Sequence, residues 1–268
     1  MGKESAKAAK AAAEKVRAQA NAQERARERK IRLIGAIVVL VIMGGLLAIP
    51  LISGKNKGPD TSATAALPQG VTKDTYGVKI GSAWNAANAD TIPTFDVWED
   101  FQCPACADME SKSGAKILEL AAAGKVRLQW RPTIFLDSNL QAQNTANNKP
   151  NSSMQATLAF GCAVDQDAAQ AFHSALFAAQ PAEGKGYNNA DLTAVAQVAG
   201  ITGQSLTTFT DCLTKKTYES WVNNSFDLFS KEGHSSTPTG ILNGTELQAG
   251  VLFDPVKLEQ AITDATKK

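Results

Sequence analysis

At 268 residues, with 27 Lys plus Arg against 26 Asp plus Glu and 44% hydrophobic residues, the chain suits one ordinary folded domain plus a further stretch of roughly 50 to 70 residues, which excludes a wholly disordered chain. An aromatic share of 6%, 20 Gly, 10 Pro and a net charge of +1 exclude a collagen-like repeat and a supercharged nucleic-acid binder. The charge is unevenly placed: residues 1–32 hold ten basic and four acidic side chains, a net +6, which leaves −5 for the remainder. A basic tail and an acidic body divided by an apolar run predict a membrane topology.

Residues 4–30 are rich in Ala, Lys, Arg, Glu and Gln without Gly or Pro. This is a helix-prone stretch with no apolar stripe to dock it, so residues 1–32 are expected to form a solvated basic tail in the cytoplasm. Its Lys and Arg either mark topology alone or also touch anionic headgroups, each contributing on the order of 1 kcal/mol; nucleic acid is not an expected partner.

From Leu33 to Ser53 no residue is charged and most are aliphatic. About 20 such residues at about 1.5 Å each span the roughly 30 Å hydrocarbon core, so this run is expected to cross the bilayer once. Ten Lys or Arg precede it, with only Lys55 and Lys57 just after it, so the N-terminus is expected inside and the body outside the cytoplasm. A cleaved signal peptide would have a shorter apolar region behind a short basic stretch. The Ala63-Thr64-Ala65 sequence lies well past the run, so an uncleaved anchor is expected. Residues 54–74, with Pro59, Pro68, Gly58 and Gly70, read as a linker, and the exported domain is expected over 75–268.

Within the body, Thr94 to Phe101 reads as a strand, Pro104 to Ala123 as a helix closed by Gly124, and Val126 to Arg131 as a second strand, a βαβ unit with parallel strands. Ala-rich segments at 154–164, 168–179, 191–199, 205–213 and 217–229 read as a helical block inserted at about 150–231. Short strands near Thr239–Leu242 and Thr245–Ala249 then precede a C-terminal helix from Asp254 to Ala265. The fold class is α/β.

Cys103-Pro104-Ala105-Cys106 falls where the first strand gives way to the first helix. Unpaired N–H groups and the macrodipole at a helix start stabilise an anion, so the Cys103 thiolate is favoured and its pKa lowered. Pro104 suits the first helical position because it has no N–H to lose. Cys103 is expected to be the exposed attacking sulfur and Cys106 the less accessible resolving one. Half of a zinc site is the alternative for any such pair, but Cys162 and Cys212 lie about 50 residues apart and His173 and His234 form no close pair, so no metal is expected. An inert structural disulfide would not need a strand-to-helix elbow.

Trp98-Glu99-Asp100-Phe101-Gln102-Cys103-Pro104-Ala105-Cys106, with the later Ser236-Thr237-Pro238-Thr239-Gly240, resembles the DsbA-like thiol:disulfide oxidoreductases of the thioredoxin superfamily, particularly the membrane-anchored actinobacterial type. The resemblance covers roughly Tyr76 to Lys268. It implies a thioredoxin-like fold with an inserted helical domain, Cys103 and Cys106 as the catalytic pair, and Pro238 as a cis-proline beside them. Thr237 and Pro238 would then offer backbone groups to an extended substrate. It further implies reduced exported polypeptides as substrates, no bound cofactor, and a quinone-linked membrane partner of the DsbB or vitamin K epoxide reductase type for reoxidation. A reductase or isomerase on the same fold, as in cytochrome c maturation, and a non-catalytic anchored binding domain are the alternatives.

Two positions depart from that family's pattern. Where many relatives carry a buried acid, six residues before the first Cys, this chain has Val97, with Asp96 and Glu99 nearby, which leaves open which carboxylate, if any, assists Cys106. The Pro-Ala dipeptide lacks the His of the strongest oxidants, so a potential below the roughly −120 mV limit is expected. The redox pair uses two of four cysteines. Cys162 and Cys212 are then expected to form a structural disulfide closing about 50 residues, a second relay pair being the alternative. Each histidine reads as structural, although His234 sits in the loop leading to Thr237-Pro238.

Overall fold

The computed structural model describes residues 65–267. The expected basic tail, bilayer-crossing run and most of the linker lie outside these residues. Among the described residues no helix is long and apolar enough to cross a membrane.

Five strands form one mixed sheet in the order β1-β3-β2-β4-β5, from β1 (Val78–Ile80), β2 (Thr94–Glu99), β3 (Arg127–Pro132), β4 (Thr239–Leu242) and β5 (Thr245–Glu246). β2 and β3 are parallel with Val97 opposite Trp130, and β2 is antiparallel to β4 with Val97 opposite Gly240. Successive side chains of β2 alternate between faces. Trp98 packs on Phe229 on one side, while Glu99 bonds His173 on the other. The edge strand β1 pairs antiparallel with β3. Its three residues are too few for the alternation that marks the other strands, and the sequence reading does not include it.

Between β2 and β3 runs one continuous helical segment: α1 (Pro104–Met109), a π-turn at Glu110–Gly114, and α2 (Ala115–Ala122). Gly124, at φ 67°, ends it: Gly124 N–H reaches the Ala121 carbonyl at 3.1 Å and Lys125 N–H that of Leu120 at 2.9 Å, a closing pattern that needs a left-handed residue. The expected end at Gly124 is therefore found; the π-turn is not visible in the pattern.

The helical block consists of α3 (Asp137–Ala146), α4 (Ser152–Val164), α5 (Ala169–Ala178), α6 (Asn189–Val198), α7 (Gly203–Thr214) and α8 (Glu219–Lys231). It begins earlier than the Ala-rich segments suggest, because α3 is polar and buries only Leu140 and Asn144, giving no apolar stripe to detect. The second strand of the final hairpin is shorter than expected. It stops at Glu246, and Ala249–Leu252 form α9 before α10 (Pro255–Ala265). Asp254 caps α10 by accepting from Val256 N–H and Lys257 N–H.

The block's core centres on α4, which buries eleven residues including Phe160 and Cys162. Cys162 is joined to Cys212 of α7, with Cα atoms 5.9 Å apart and 50 residues between them in sequence. Gly161 admits Trp221 and Tyr218, whose ring atoms would lie 2.8 and 2.9 Å from an added Cβ. Replacing both Cys162 and Cys212 by Ala is expected to lower unfolding free energy by about 3 to 4 kcal/mol, the loop-closure entropy of a ring of this size. Urea unfolding of the two proteins measures it.

Candidate functional site

Cys103 is the residue that caps α1, with extended backbone (φ −78°, ψ 117°), and Pro104 takes the first helical position. The sequence thus builds the elbow as expected. The sulfur is less open than expected, however. Cys103 is 7% exposed because the Thr237 segment roofs it, whereas Cys106, one turn further in, is 0% exposed. Both are free thiols, and Cys103 Sγ lies 3.3 Å from the Thr237 carbonyl. The Thr237-Pro238 peptide bond is cis, so residues 134 positions apart in sequence meet at this sulfur.

The two sulfurs have opposed acidities. Cys103 is held down at about 6, first by the Cys106 thiol that donates to it, then, against the cost of burial, by Thr237 and by the Cys106 and Ala105 amides. The Thr237 backbone carbonyl, which takes the S–H proton, works in the other direction. The Thr237 hydroxyl is buried without another partner and serves the thiolate, so the net effect favours ionisation. Cys106 is pushed far up, chiefly by burial and by donating to Cys103, with the charges of Cys103 and Glu99 adding to it. A thiolate at the surface sulfur and a thiol at the buried one suit an exchange in which only Cys103 meets a partner.

The elbow is held by groups that the sequence does not flag. Asp100 is fully buried: its carbonyl accepts from Cys103 N–H at 2.9 Å, and its carboxylate accepts from Gln102 N–H (2.8 Å), Ser153 Oγ (2.7 Å) and Leu136 N–H (2.8 Å). Burial raises its carboxyl to about 7 despite these donors. Gln102 Nε2 donates to Ser153 Oγ and to Asp137 Oδ1, and Asp137 also accepts the first amides of α4, Ser153 N–H and Met154 N–H. From the other side Gln180 Nε2 donates to the Phe101 and Cys103 carbonyls at 3.0 and 3.1 Å, and Tyr187 Oη donates to the Phe101 carbonyl. The helical block therefore clamps the Cys103 loop at three places.

Of the two carboxylates flanking Val97, Glu99 is the one on the redox side. It is 2% exposed, is hydrogen-bonded to His173 Nε2 at 2.9 Å, and is raised well above its ordinary value, first by burial. His173, stacked on Trp130 at 3.7 Å, is lowered to about 4 by burial and is neutral. Glu110 completes the group: the donor atoms of Glu99, Glu110 and His173 lie within 4.8 Å of one another, the only such triad of metal-competent side chains among the described residues. Burial raises both carboxyls and keeps His173 neutral, and Glu99 is hydrogen-bonded to His173, so the group carries protons in place of charge. His234 packs instead on Trp98 and Phe229 and meets Glu232, which forms a two-pronged pair with Arg131 at 2.7 and 3.0 Å.

Residues 86–262 match the family model described as thioredoxin. Among solved structures, the chain is similar to the oxidised form of DsbA from Mycobacterium tuberculosis, with 28% identity and a TM-score of 0.57 over 72% of this chain and 93% of that one. It is likewise similar to the reduced form of the disulfide bond oxidoreductase DsbG of the same organism, with 27% identity and a TM-score of 0.57 over 72% and 88%. MdbA, a thiol-disulfide oxidoreductase from Actinomyces oris, shares the fold at 20% identity, with a TM-score of 0.62 over 78% and 97%. No curated protein matches the chain.

Alkylation of the reduced protein by iodoacetamide is expected to follow a single sulfur with an inflection near pH 6, its rate falling as pH drops through that value because the thiolate is lost. Thr237→Val removes the hydroxyl and should move the inflection up by about one pH unit, the worth of about one hydrogen bond to a charged group. An unchanged inflection would assign the lowered acidity to the helix start and Cys106 alone.

Proposed function

The chain belongs to the thioredoxin family and is a DsbA-like thiol:disulfide oxidoreductase, and we propose that it works as an oxidase of exported proteins through Cys103 and Cys106. The observation that carries this reading is the capping Cys103 sulfur, ionised near pH 6 and set against the cis Thr237-Pro238 bond, with its partner sulfur wholly buried.

In the oxidised enzyme, a substrate thiolate attacks Cys103 Sγ. A substrate–Cys103 disulfide forms, the Cys103–Cys106 bond breaks, and the electron pair leaves on Cys106, which takes up a proton. A second substrate thiolate then attacks the substrate sulfur of the mixed disulfide and expels Cys103 as a thiolate. The substrate has lost two electrons and the enzyme has gained them. The lowered acidity of Cys103 makes it a good leaving group in this last step, which favours net oxidation. Thr237 and Pro238 would hold the substrate backbone across the sulfur, and no cofactor takes part in these steps.

The uncharged run from Leu33 to Ser53 supports a single-pass anchor in the cell membrane, and the basic excess before it supports a cytoplasmic N-terminus with 75–268 outside. An enzyme so placed would return its electrons to a quinone-linked membrane partner of the DsbB-like or vitamin K epoxide reductase-like kind. Electron flow in the opposite direction, as in a reductase or isomerase, would require a less stable Cys103 thiolate.

Two measurements test the reading. In cells carrying Cys106→Ser, mixed disulfides are expected on Cys103, and their partners should be exported proteins; Cys103→Ser should abolish them. The potential is expected between about −200 and −120 mV, and a value near −270 mV would assign the enzyme to reduction.

A further inference from the structure

On reduction Cys106 must take up a proton, and on reoxidation it must give one back, yet no surface of this residue reaches solvent. Glu99, whose charge helps push the Cys106 thiol up, is nearly as buried, at 2% exposure, so neither can exchange protons with water directly. Glu110 is differently placed. It is only partly buried, and it lines a surface depression of about 320 Å³ together with Ala107, Ser111, Gly114, Ser174 and Phe177.

Glu110 opens the π-turn at Glu110–Gly114 and its carboxyl lies among Glu99 and His173, one atom of each within 4.8 Å of the others, with Oε2 packed over Gly114, 2.3 Å from where a Cβ there would stand. The Oε1 atoms of Glu99 and Glu110 are both buried without a hydrogen-bond partner among the described residues, and a proton carried by one of the two carboxyls is the donor that would serve them. His173, supplied by the helical block, is hydrogen-bonded through Nε2 to Glu99 Oε2 and so leaves Oε1 for Glu110.

We propose that Glu99 and Glu110 form a two-carboxyl proton relay between Cys106 and the depression at Ser174, with Glu110 as its solvent-side member and His173 as the positioning residue. This rests on the reading of Cys103 and Cys106 as the redox pair. When Cys106 closes the ring, its S–H proton passes to Glu99, the proton already shared with Glu110 leaves to water through the depression, and the Cys106 thiolate attacks Cys103. One S–S bond forms, the bond from Cys103 to the partner sulfur breaks, and the electron pair departs with that sulfur. Reduction of the ring runs the proton transfer in reverse. Burial raises Glu110 to about 8, so it holds a proton at neutral pH.

Glu110 faces Glu99 from β2 and His173 from α5. α10 also packs on the π-turn, but its Lys257 is paired with Asp254 and its Glu259 with Lys116.

The test is ring closure in the full chain, started from a mixed disulfide of Cys103 with 5-thio-2-nitrobenzoate and followed by release of the coloured thiolate across pH 5 to 9. Glu110→Gln, which keeps the shape but cannot pass the proton, is expected to slow closure at least tenfold at pH 7 and to remove the rate inflection near pH 8. Ser174→Leu, which fills the depression and leaves both carboxyls in place, should also slow it. In the wild-type protein, the infrared difference between ring-open and ring-closed forms should contain a carboxylic-acid band that changes with redox state. Closure at the wild-type rate and pH profile in both variants would overturn the relay, as would the absence of a carboxylic-acid change in the wild type. If wild-type Cys103 forms no mixed disulfide, the redox reading fails instead.

Discussion

The chemistry of this protein depends on one buried carboxylate that has no part in exchange itself. Asp100 follows the last residue of the central strand, receives the amide of Cys103 on its carbonyl, and ties its carboxylate to Gln102, Ser153 and Leu136. A strand cannot become a helix without leaving amides unpaired, and here the side chain of the residue just after the strand satisfies the turn. That frees the amides at the start of α1 to face a sulfur. Removing the clamp would leave the two cysteines in the chain but not the elbow that makes them different from each other.

The clamp also explains why the helical block is part of the active site. Ser153 and Asp137 grip the loop from one side and Gln180 and Tyr187 from the other, while His173 reaches through to Glu99. The sheet supplies the strand, the final hairpin supplies Thr237 and Pro238, and the block fixes the carbonyls between them. Rigidity comes from hydrogen bonds that are buried or partly buried, where each lost partner costs more than it would at the surface.

Much of this architecture can be read before any coordinates. The cysteine spacing, Pro104 at the first helical position and Gly124 at the end are local signals, and each is found where local rules place it. The Asp137–Ala146 helix escapes because its pattern is polar throughout, and the Val78–Ile80 strand because three residues carry no periodicity. Asp100, Gln180 and His173 are invisible for another reason: each becomes functional through partners 36 to 79 residues away, and nothing in their immediate neighbourhood marks them. Glu99 is an intermediate case. It is recognisable as a nearby acid, but choosing it over Asp96 needs the strand's facing direction, which only the packing of Trp98 on Phe229 decides.

The complete enclosure of Cys106 has a consequence for the order of events. A sulfur with no surface cannot be attacked by any foreign thiol, so a visiting polypeptide has a single atom at which to become attached and must depart from that same atom. Wrong-ended adducts, which would strand a client on the inner sulfur with no route to release, are forbidden by packing alone. Fidelity of this kind needs no recognition of the client's sequence, and it lets one enclosed atom serve partners of unrelated shape.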